Sequence, residues 1–278
     1  MTAGSGQDRR HAGAAQGERD FGLTPQEQAS YRANGFLVRE AQFDADEVAA
    51  LQGGAEAAVR RALATCDQGR TYVLDGKRFV DIGPMTVQFE PGPDSTEIKV
   101  IEPVHGLDER LAALLHDPRL VAPMRTILGV AEIALWTDKL NLKRPRAGSG
   151  FGWHQDSPYW IHDCGHVDLL PNVMVALDDA REANGCLRVI RGSHRRGCLP
   201  GTDDGTQLGG FYTDPGSFDL REELCLEVPA GSLIFFDPHL VHGSRPNASE
   251  RPRRAMVITY QPAGQPTLKS REVLDIRT

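Results

Sequence analysis

The chain has 278 residues, enough for one large domain or two small ones with a substantial core. Hydrophobic residues make up 40% and charged residues 25%, an ordinary globular balance, and 31 basic against 38 acidic residues give a formal net charge of −7. That acidic excess disfavours a nucleic-acid partner, and the lack of any apolar run of about 18 residues excludes a membrane-spanning helix.

Residues 1–20 are rich in Gly, Ala, Arg and Asp, without the apolar stretch of a secretory signal, and are expected to be a disordered tail. Thr24-Pro25-Gln26-Glu27 has a cap residue, Pro at the first helical position and Glu three after the cap, so a helix starts there and stops at Gly35. Phe36-Leu37-Val38 reads as a short strand. Asp44 and Glu47 repeat the capping pattern before a helix to about residue 64. Two further helices are expected, near 107–115 and from Asp117-Pro118 to Gly129.

From about residue 131 the pattern changes. Short apolar runs at 133–136, 173–177, 186–190, 232–236 and 255–260 alternate with Gly-, Pro- and Asp-rich breaks, the signature of a sandwich or barrel. The expectation is a mainly β protein with flanking α-helices: a helical N-terminal part and a β-rich core in one domain over 21–278. The polar stretch 195–222 is expected to be a long loop over one end of the β structure. Cys66, Cys164, Cys186, Cys198 and Cys225 form neither a disulfide framework nor a zinc knuckle, which suits a reducing cytoplasm. Asn247-Ala248-Ser249 fits the glycosylation pattern only by chance in a chain with no secretion signal.

Trp153-His154-Gln155-Asp156 carries the first chemical signal. On an extended strand, residues two apart share a face, so His154 and Asp156 would offer a nitrogen and a carboxylate oxygen to one cavity. One more histidine completes the two-His, one-carboxylate face that binds Fe(II) with three positions open. Alone, His-x-Asp is weak. The second histidine has two candidates, His239 and His242, which would point to opposite strand faces, and the residues that follow favour His242. Ser244 shares its face. Arg253, eleven residues on, returns beside it on the next strand, where a guanidinium would grip a carboxylate through two parallel hydrogen bonds. Arg254 is the rival, facing the other way. The cluster His162–His166 contains Gly165 and no helical periodicity, so it reads as a loop near the site.

Taken together, these motifs resemble the phytanoyl-CoA dioxygenase superfamily, which includes ectoine hydroxylases and many bacterial tailoring enzymes. The likeness runs from about residue 24 to 262 and rests on Trp153-His154-Gln155-Asp156, on Asn184-Gly185-Cys186-Leu187 leading to Gly192-Ser193-His194, and on His242-Gly243-Ser244 with Asn247 and Arg253. It implies a double-stranded β-helix (jelly-roll, cupin-like) core, Fe(II) on His154, Asp156 and His242, and 2-oxoglutarate held by Arg253 and Ser244, with contacts near Lys99, Thr137 and Asn141. It also implies that O2 and 2-oxoglutarate are consumed, with release of succinate and CO2, as a C–H bond of a small molecule is oxidised. His194 matches a structural turn.

Some relatives carry Trp or Ser where Met174 and Ala176 stand, so no ligand contact is transferred to them. Asp156 is present, whereas halogenating relatives have a small residue there, so hydroxylation or a related oxidation is expected. The substrate pocket is expected to use Ser157, Tyr159, Trp160, Trp136 and the segment from Arg78 to Gln88, with Trp160 equally suited to the core. Lys77, Arg78, Lys139 and Arg144 would suit an acidic group. A catalytically inactive ligand-binding protein on the same scaffold and a zinc hydrolase are the alternative readings. The partner expected is a small molecule, with neither nucleic acid nor membrane, and the oligomeric state is unreadable.

Overall fold

The structure, a computed structural model, describes residues 20–92 and 94–277. Except for Asp20, the expected disordered tail lies outside the described residues. Among the described residues no helix is long and apolar enough to cross a membrane.

The capped helices form where the cap residues stand. Helix α1 spans Pro25–Asn34, with the Thr24 hydroxyl accepting from the Glu27 N–H and the Glu27 carboxylate accepting from the Thr24 N–H. Gly35 ends it in the left-handed region at φ 83°, which a residue with a Cβ enters only at a cost. Strand β1 (Phe36–Arg39) follows, then α2 (Ala45–Thr65) behind the reciprocal Asp44–Glu47 cap.

Next comes a difference from the expected organisation. Residues 70–102 form an antiparallel meander of β2 (Arg70–Leu74), β3 (Lys77–Ile82), β4 (Met85–Phe89) and β5 (Ile98–Glu102), so the β structure begins well before residue 131. In β2 and β3 polar residues interrupt the apolar positions, since much of their surface is only half-buried, and these runs are easily passed over. Helices α3 (Glu109–Leu114) and α4 (Pro118–Leu128) stand close to their expected positions, and Gly129 closes α4 at φ 67°.

The remaining strands are β6 (Ile133–Lys143), β7 (Phe151–His154), β8 (Asn172–Ala176), β9 (Leu187–Ile190), β10 (Glu223–Leu226), β11 (Leu233–Phe236), β12 (His242–Ser244), β13 (Arg253–Pro262) and β14 (Asp275–Ile276), with a one-turn helix α5 (Ser157–Trp160) after β7. They make two antiparallel sheets. The large one runs β1-β11-β8-β13-β6-β5-β4-β3-β2, with β14 also on β6, and the small one runs β10-β9-β12-β7. This is a jelly-roll core flanked by helices.

Alternation along the large sheet explains its continuous apolar runs. Val173, Val175, Leu233, Phe235, Met256 and Ile258 pack with residues of α2, α3 and α4 on one face. Met174, Ala176, Ile234, Phe236, Ala255 and Val257 pack on the other face with Leu187, Val189 and Leu226 of the small sheet. A sheet covered on both faces needs apolar residues at odd and even positions alike. Ile258→Ala, at a fully buried position beneath the helices, is expected to lower stability by about 2–5 kcal/mol. The midpoint of urea denaturation measures this; an unchanged midpoint would mean the helical layer does not pack there.

The stretch 195–222 is largely irregular, as expected, with short 3₁₀ turns. It reaches the end of the jelly roll where β7 stops: Tyr212 bridges to His154, and Phe211 stacks on Tyr159 with ring centroids 4.4 Å apart.

Candidate active site

Strands β7 and β12 are neighbours in the small sheet, and their register puts His154 opposite His242. The imidazole centroids are 4.2 Å apart. Asp156 joins them by a route the sequence pattern did not suggest. Strand β7 ends at His154, and Asp156 has helical dihedrals (φ −77°, ψ −31°) at the start of α5. The N–H groups of Asp156 and Ser157 both donate to the Pro238 carbonyl, at 3.1 and 3.0 Å. The intervening Gln155 is buried; its amide donates to the His239 and Gly197 carbonyls and accepts from the Leu199 N–H at 2.7 Å. Thus a pinned turn, not a shared strand face, aims the carboxylate at the histidines. One donor atom from each of His154, Asp156 and His242 lies within 4.8 Å of the others.

Hydrogen bonding fixes which imidazole nitrogen faces the cavity. His154 Nδ1 lies 2.7 Å from the Gly152 carbonyl and His242 Nδ1 lies 2.9 Å from the Leu240 carbonyl. A carbonyl only accepts, so each Nδ1 carries the proton and each Nε2 keeps a free lone pair. Burial, reinforced by the neighbouring His242, pushes the His154 pKa down to about 3, and burial lowers His242 as well. Burial opposes ionisation of Asp156, but the Lys139 ammonium and the two imidazoles outweigh it and hold the pKa below its ordinary value. At neutral pH the set is two neutral imidazoles and one carboxylate, the donor chemistry of a facial Fe(II) site.

A second layer orients the carboxylate. Asn172 on β8 donates to Asp156 Oδ2 at 2.9 Å, and the Thr259 hydroxyl on β13 donates to Asn172 Oδ1 at 2.5 Å. His239 points elsewhere, its Nε2 2.7 Å from Asp168 Oδ1. His162 and His166 do not join the cluster; His166 Nε2 lies 2.9 Å from Gln261 Oε1. His194 Nε2 lies 3.1 Å from the Arg32 carbonyl, a structural contact between its turn and α1.

The triad opens onto a cavity of ≈ 190 Å³ that also exposes Ser244, Asn141 and Arg253. Arg253 is buried, and its Nε and Nη2 donate to the Gly185 carbonyl at 3.0 and 2.6 Å. Burial lowers its pKa to about 10, so it stays protonated at neutral pH. Ser244 Oγ and Asn141 Oδ1 are buried without a hydrogen-bond partner. Unpaired buried polar atoms are costly, and two of them beside the Arg253 guanidinium at one end of a cavity mark the place of a polar ligand. The surroundings favour an anion. Lys143, opposite Arg253 on β6, and Lys99 are both buried nearby, with Glu90 the buried carboxylate beside them. Burial, and after it the charges of Arg253 and Lys99, push Lys143 down to about 6. A guanidinium, a hydroxyl and a side-chain amide, set apart from the three metal-type donors, fit a dicarboxylate with one end on each group.

Arg254 resolves the earlier ambiguity. It lies on the opposite face of β13, ion-paired with Asp178 at 2.7 Å and Glu56 at 2.9 Å. Gln88, Tyr159 and Trp160 line the cavity, while Arg78, Lys99, Trp136, Thr137 and Ser157 do not. Lys99 Nζ donates to Ser149 Oγ and the Gly150 carbonyl, Thr137 Oγ1 donates to Glu102, and the Arg78 guanidinium lies over the Phe89 ring and donates to the Ser95 carbonyl. Ser157, the first residue of α5, is fully buried. Trp136 is the extra residue where the β6–β13 register shifts, and it packs against Trp160 and Leu170. Trp160 therefore serves both core and cavity. The site also includes Lys139, noted in the sequence as suited to an acidic group, and Glu102, Asn172, Met174, Phe236 and Val257, to which motif reading gave no role. Residue spacing was the usable signal: Lys139 and Asn141 alternate on one face of β6.

The sequence model of the family described as "Phytanoyl-CoA dioxygenase (PhyH)" matches residues 31–255. The ectoine dioxygenase of Bordetella parapertussis is 32% identical over 252 residues, covering 86% of this chain and 75% of that protein. The L-proline trans-4-hydroxylase of Streptomyces griseoviridis is 30% identical over 187 residues, covering 60% and 68%. The crystal structure of EctD from S. alaskensis with 2-oxoglutarate and 5-hydroxyectoine superposes with a TM-score of 0.66 at 28% identity, covering 87% of this chain and 77% of that one. With a family match over most of its length and a donor set of the right kind at the end of a jelly roll, the chain belongs to the phytanoyl-CoA dioxygenase family of Fe(II)- and 2-oxoglutarate-dependent oxygenases.

Proposed function

We propose that residues 21–278 form one catalytic domain that hydroxylates, or otherwise oxidises, a C–H bond of a small molecule. In this reading His154, Asp156 and His242 hold Fe(II), and Arg253, Ser244 and Asn141 hold 2-oxoglutarate. The observation that carries it is the convergence, in one cavity, of three metal-type donors with the buried Arg253 guanidinium and the unpartnered Ser244 hydroxyl. Bound there, Fe(II) with 2-oxoglutarate and O2 supplies the oxidation and yields succinate and CO2.

The chain's own residues do the rest. The Gly152 and Leu240 carbonyls keep both imidazoles in the tautomer that presents Nε2. Asn172, held by Thr259, keeps one Asp156 oxygen oriented. Arg253 fixes the far end of the co-substrate, so its reactive end is placed without a search. Tyr159, backed by Phe211, and Trp160 wall the cavity and limit water around the reacting bond. Relatives that act on ectoine and L-proline support a small-molecule substrate. The five free cysteines suit a reducing cytoplasm.

Asp156→Gly tests this reading. It should abolish oxidation while leaving weak iron binding on two imidazoles, assayed by succinate release and iron content; full activity would remove the carboxylate from the ligand set. Asn172→Ala is expected to weaken iron about 10- to 100-fold, the usual cost of losing a hydrogen bond behind a ligand. Iron affinity equal to wild type would assign Asn172 to folding alone.

A further inference from the structure

Two charged side chains in the cavity have no role in holding the metal or the co-substrate. Strands β5 and β6 pair Val100 with Asn141 and Ile101 with Leu140. Continuing that register by one residue places Glu102 opposite Lys139. Both line the cavity beside His154 and Asp156. Glu102 is held in place by the Thr137 hydroxyl, which donates to its Oε1 at 2.8 Å. Among the described residues, no basic side chain forms a salt bridge with it, and its second oxygen accepts no hydrogen bond. Lys139 is 20% exposed, and its one ion pair is a long 3.5 Å contact with Asp156 Oδ1. In the metal-loaded enzyme that carboxylate is a ligand. The cavity wall then presents one carboxylate and one ammonium, the ammonium 5.6 Å from the centroid of the Trp160 ring.

We propose that Glu102 and Lys139 are a specificity-determining pair and that the substrate is a small zwitterion, with its cationic nitrogen on Glu102 and its anionic group on Lys139. The inference rests on the cofactor reading above, which makes this cavity the substrate site. A neutral ligand would strip water from both charges and return nothing, so it is rejected; a zwitterion pairs each one.

The test is binding to the enzyme loaded with Fe(II) and 2-oxoglutarate under argon, by calorimetry and thermal shift. The probes are amino acids, betaines and aminophosphonates, each amino acid paired with its N-acetyl form, which lacks the cation, and its amide, which lacks the anion. At least one zwitterion is expected to bind about 10- to 100-fold more tightly than either counterpart, the range for a charge-assisted hydrogen bond. Glu102→Gln should weaken that zwitterion by a similar factor and leave the N-acetyl form unchanged; Lys139→Met should weaken it and leave the amide unchanged. A purely structural role would weaken all forms together, and that result overturns the proposal. So would binding of neutral compounds as tight as that of zwitterions, or binding of no zwitterion at all. If 2-oxoglutarate itself does not bind, the cofactor reading fails; if it binds and no zwitterion does, only the Glu102–Lys139 pairing fails.

Discussion

His242→Ala is expected to purify folded, without iron, and with turnover reduced by more than about 100-fold, since losing even a group behind a metal ligand typically costs 10- to 100-fold. The expectation follows from the pairing of β12 with β7, which sets His242 directly opposite His154, so that among the described residues His154, Asp156 and His242 are the donors within reach of one ion. His154→Ala should behave alike. His239→Ala is the informative control, because His239 lies three residues away, in the turn before β12, against Asp168. It should keep its full complement of iron. Iron content by elemental analysis decides between them: iron retained in His242→Ala and lost in His239→Ala would reverse the assignment.

Arg253→Ala is expected to raise the 2-oxoglutarate concentration needed for half-saturation by about 100-fold to 1,000-fold or more. Removing one partner of a buried charge pair costs about 3–5 kcal/mol, because the other charge is left buried and unpaired, and each 1.4 kcal/mol is a factor of about ten. Arg253→Lys should be impaired less, since an ammonium keeps the charge and loses the fork. Arg254→Ala separates anchoring from stability. Its ion pairs with Asp178 and Glu56 tie β13 to the segment after β8 and to α2, so it should lower the melting temperature and leave 2-oxoglutarate affinity close to wild type. A crippled affinity in Arg254→Ala with a normal one in Arg253→Ala would place the anchor on the wrong face of the strand.

Much of this arrangement was legible in the sequence where a local rule governs it. Helices α1, α2 and α4 begin at residues whose side chains close a cap and, for α1 and α4, end at glycines with positive φ, so their limits follow from a few neighbouring residues. That Arg253 and Arg254 face opposite ways followed from the alternation of a strand alone. Other features depend on contacts distant in sequence. In the meander β2–β5, the half-buried β2 and β3 carry little periodic signal, whereas the alternation of β4, with Met85, Val87 and Phe89 buried, was a usable sign that went unread. Trp136 leaves the cavity because of a bulge in β6 set by its pairing with β13. Lys99 and Thr137 are drawn to partners at residues 149–150 and 102. Even the His154–Asp156 pair was expected for the wrong geometric reason: the turn that joins them is held by Pro238, more than eighty residues away in sequence.

Succinate formation from 2-oxoglutarate, followed with Fe(II), with Zn(II) and with no metal, in air and under argon, across the panel of small-molecule probes, tests the central claim most directly. The account predicts succinate only with Fe(II) and O2 together, stimulated by the true substrate, and lost in His242→Ala. Zn(II)-supported turnover without 2-oxoglutarate would indicate a hydrolase. Iron-loaded protein that binds 2-oxoglutarate yet forms no succinate with any probe would contradict the assignment of this chain as an oxygenase.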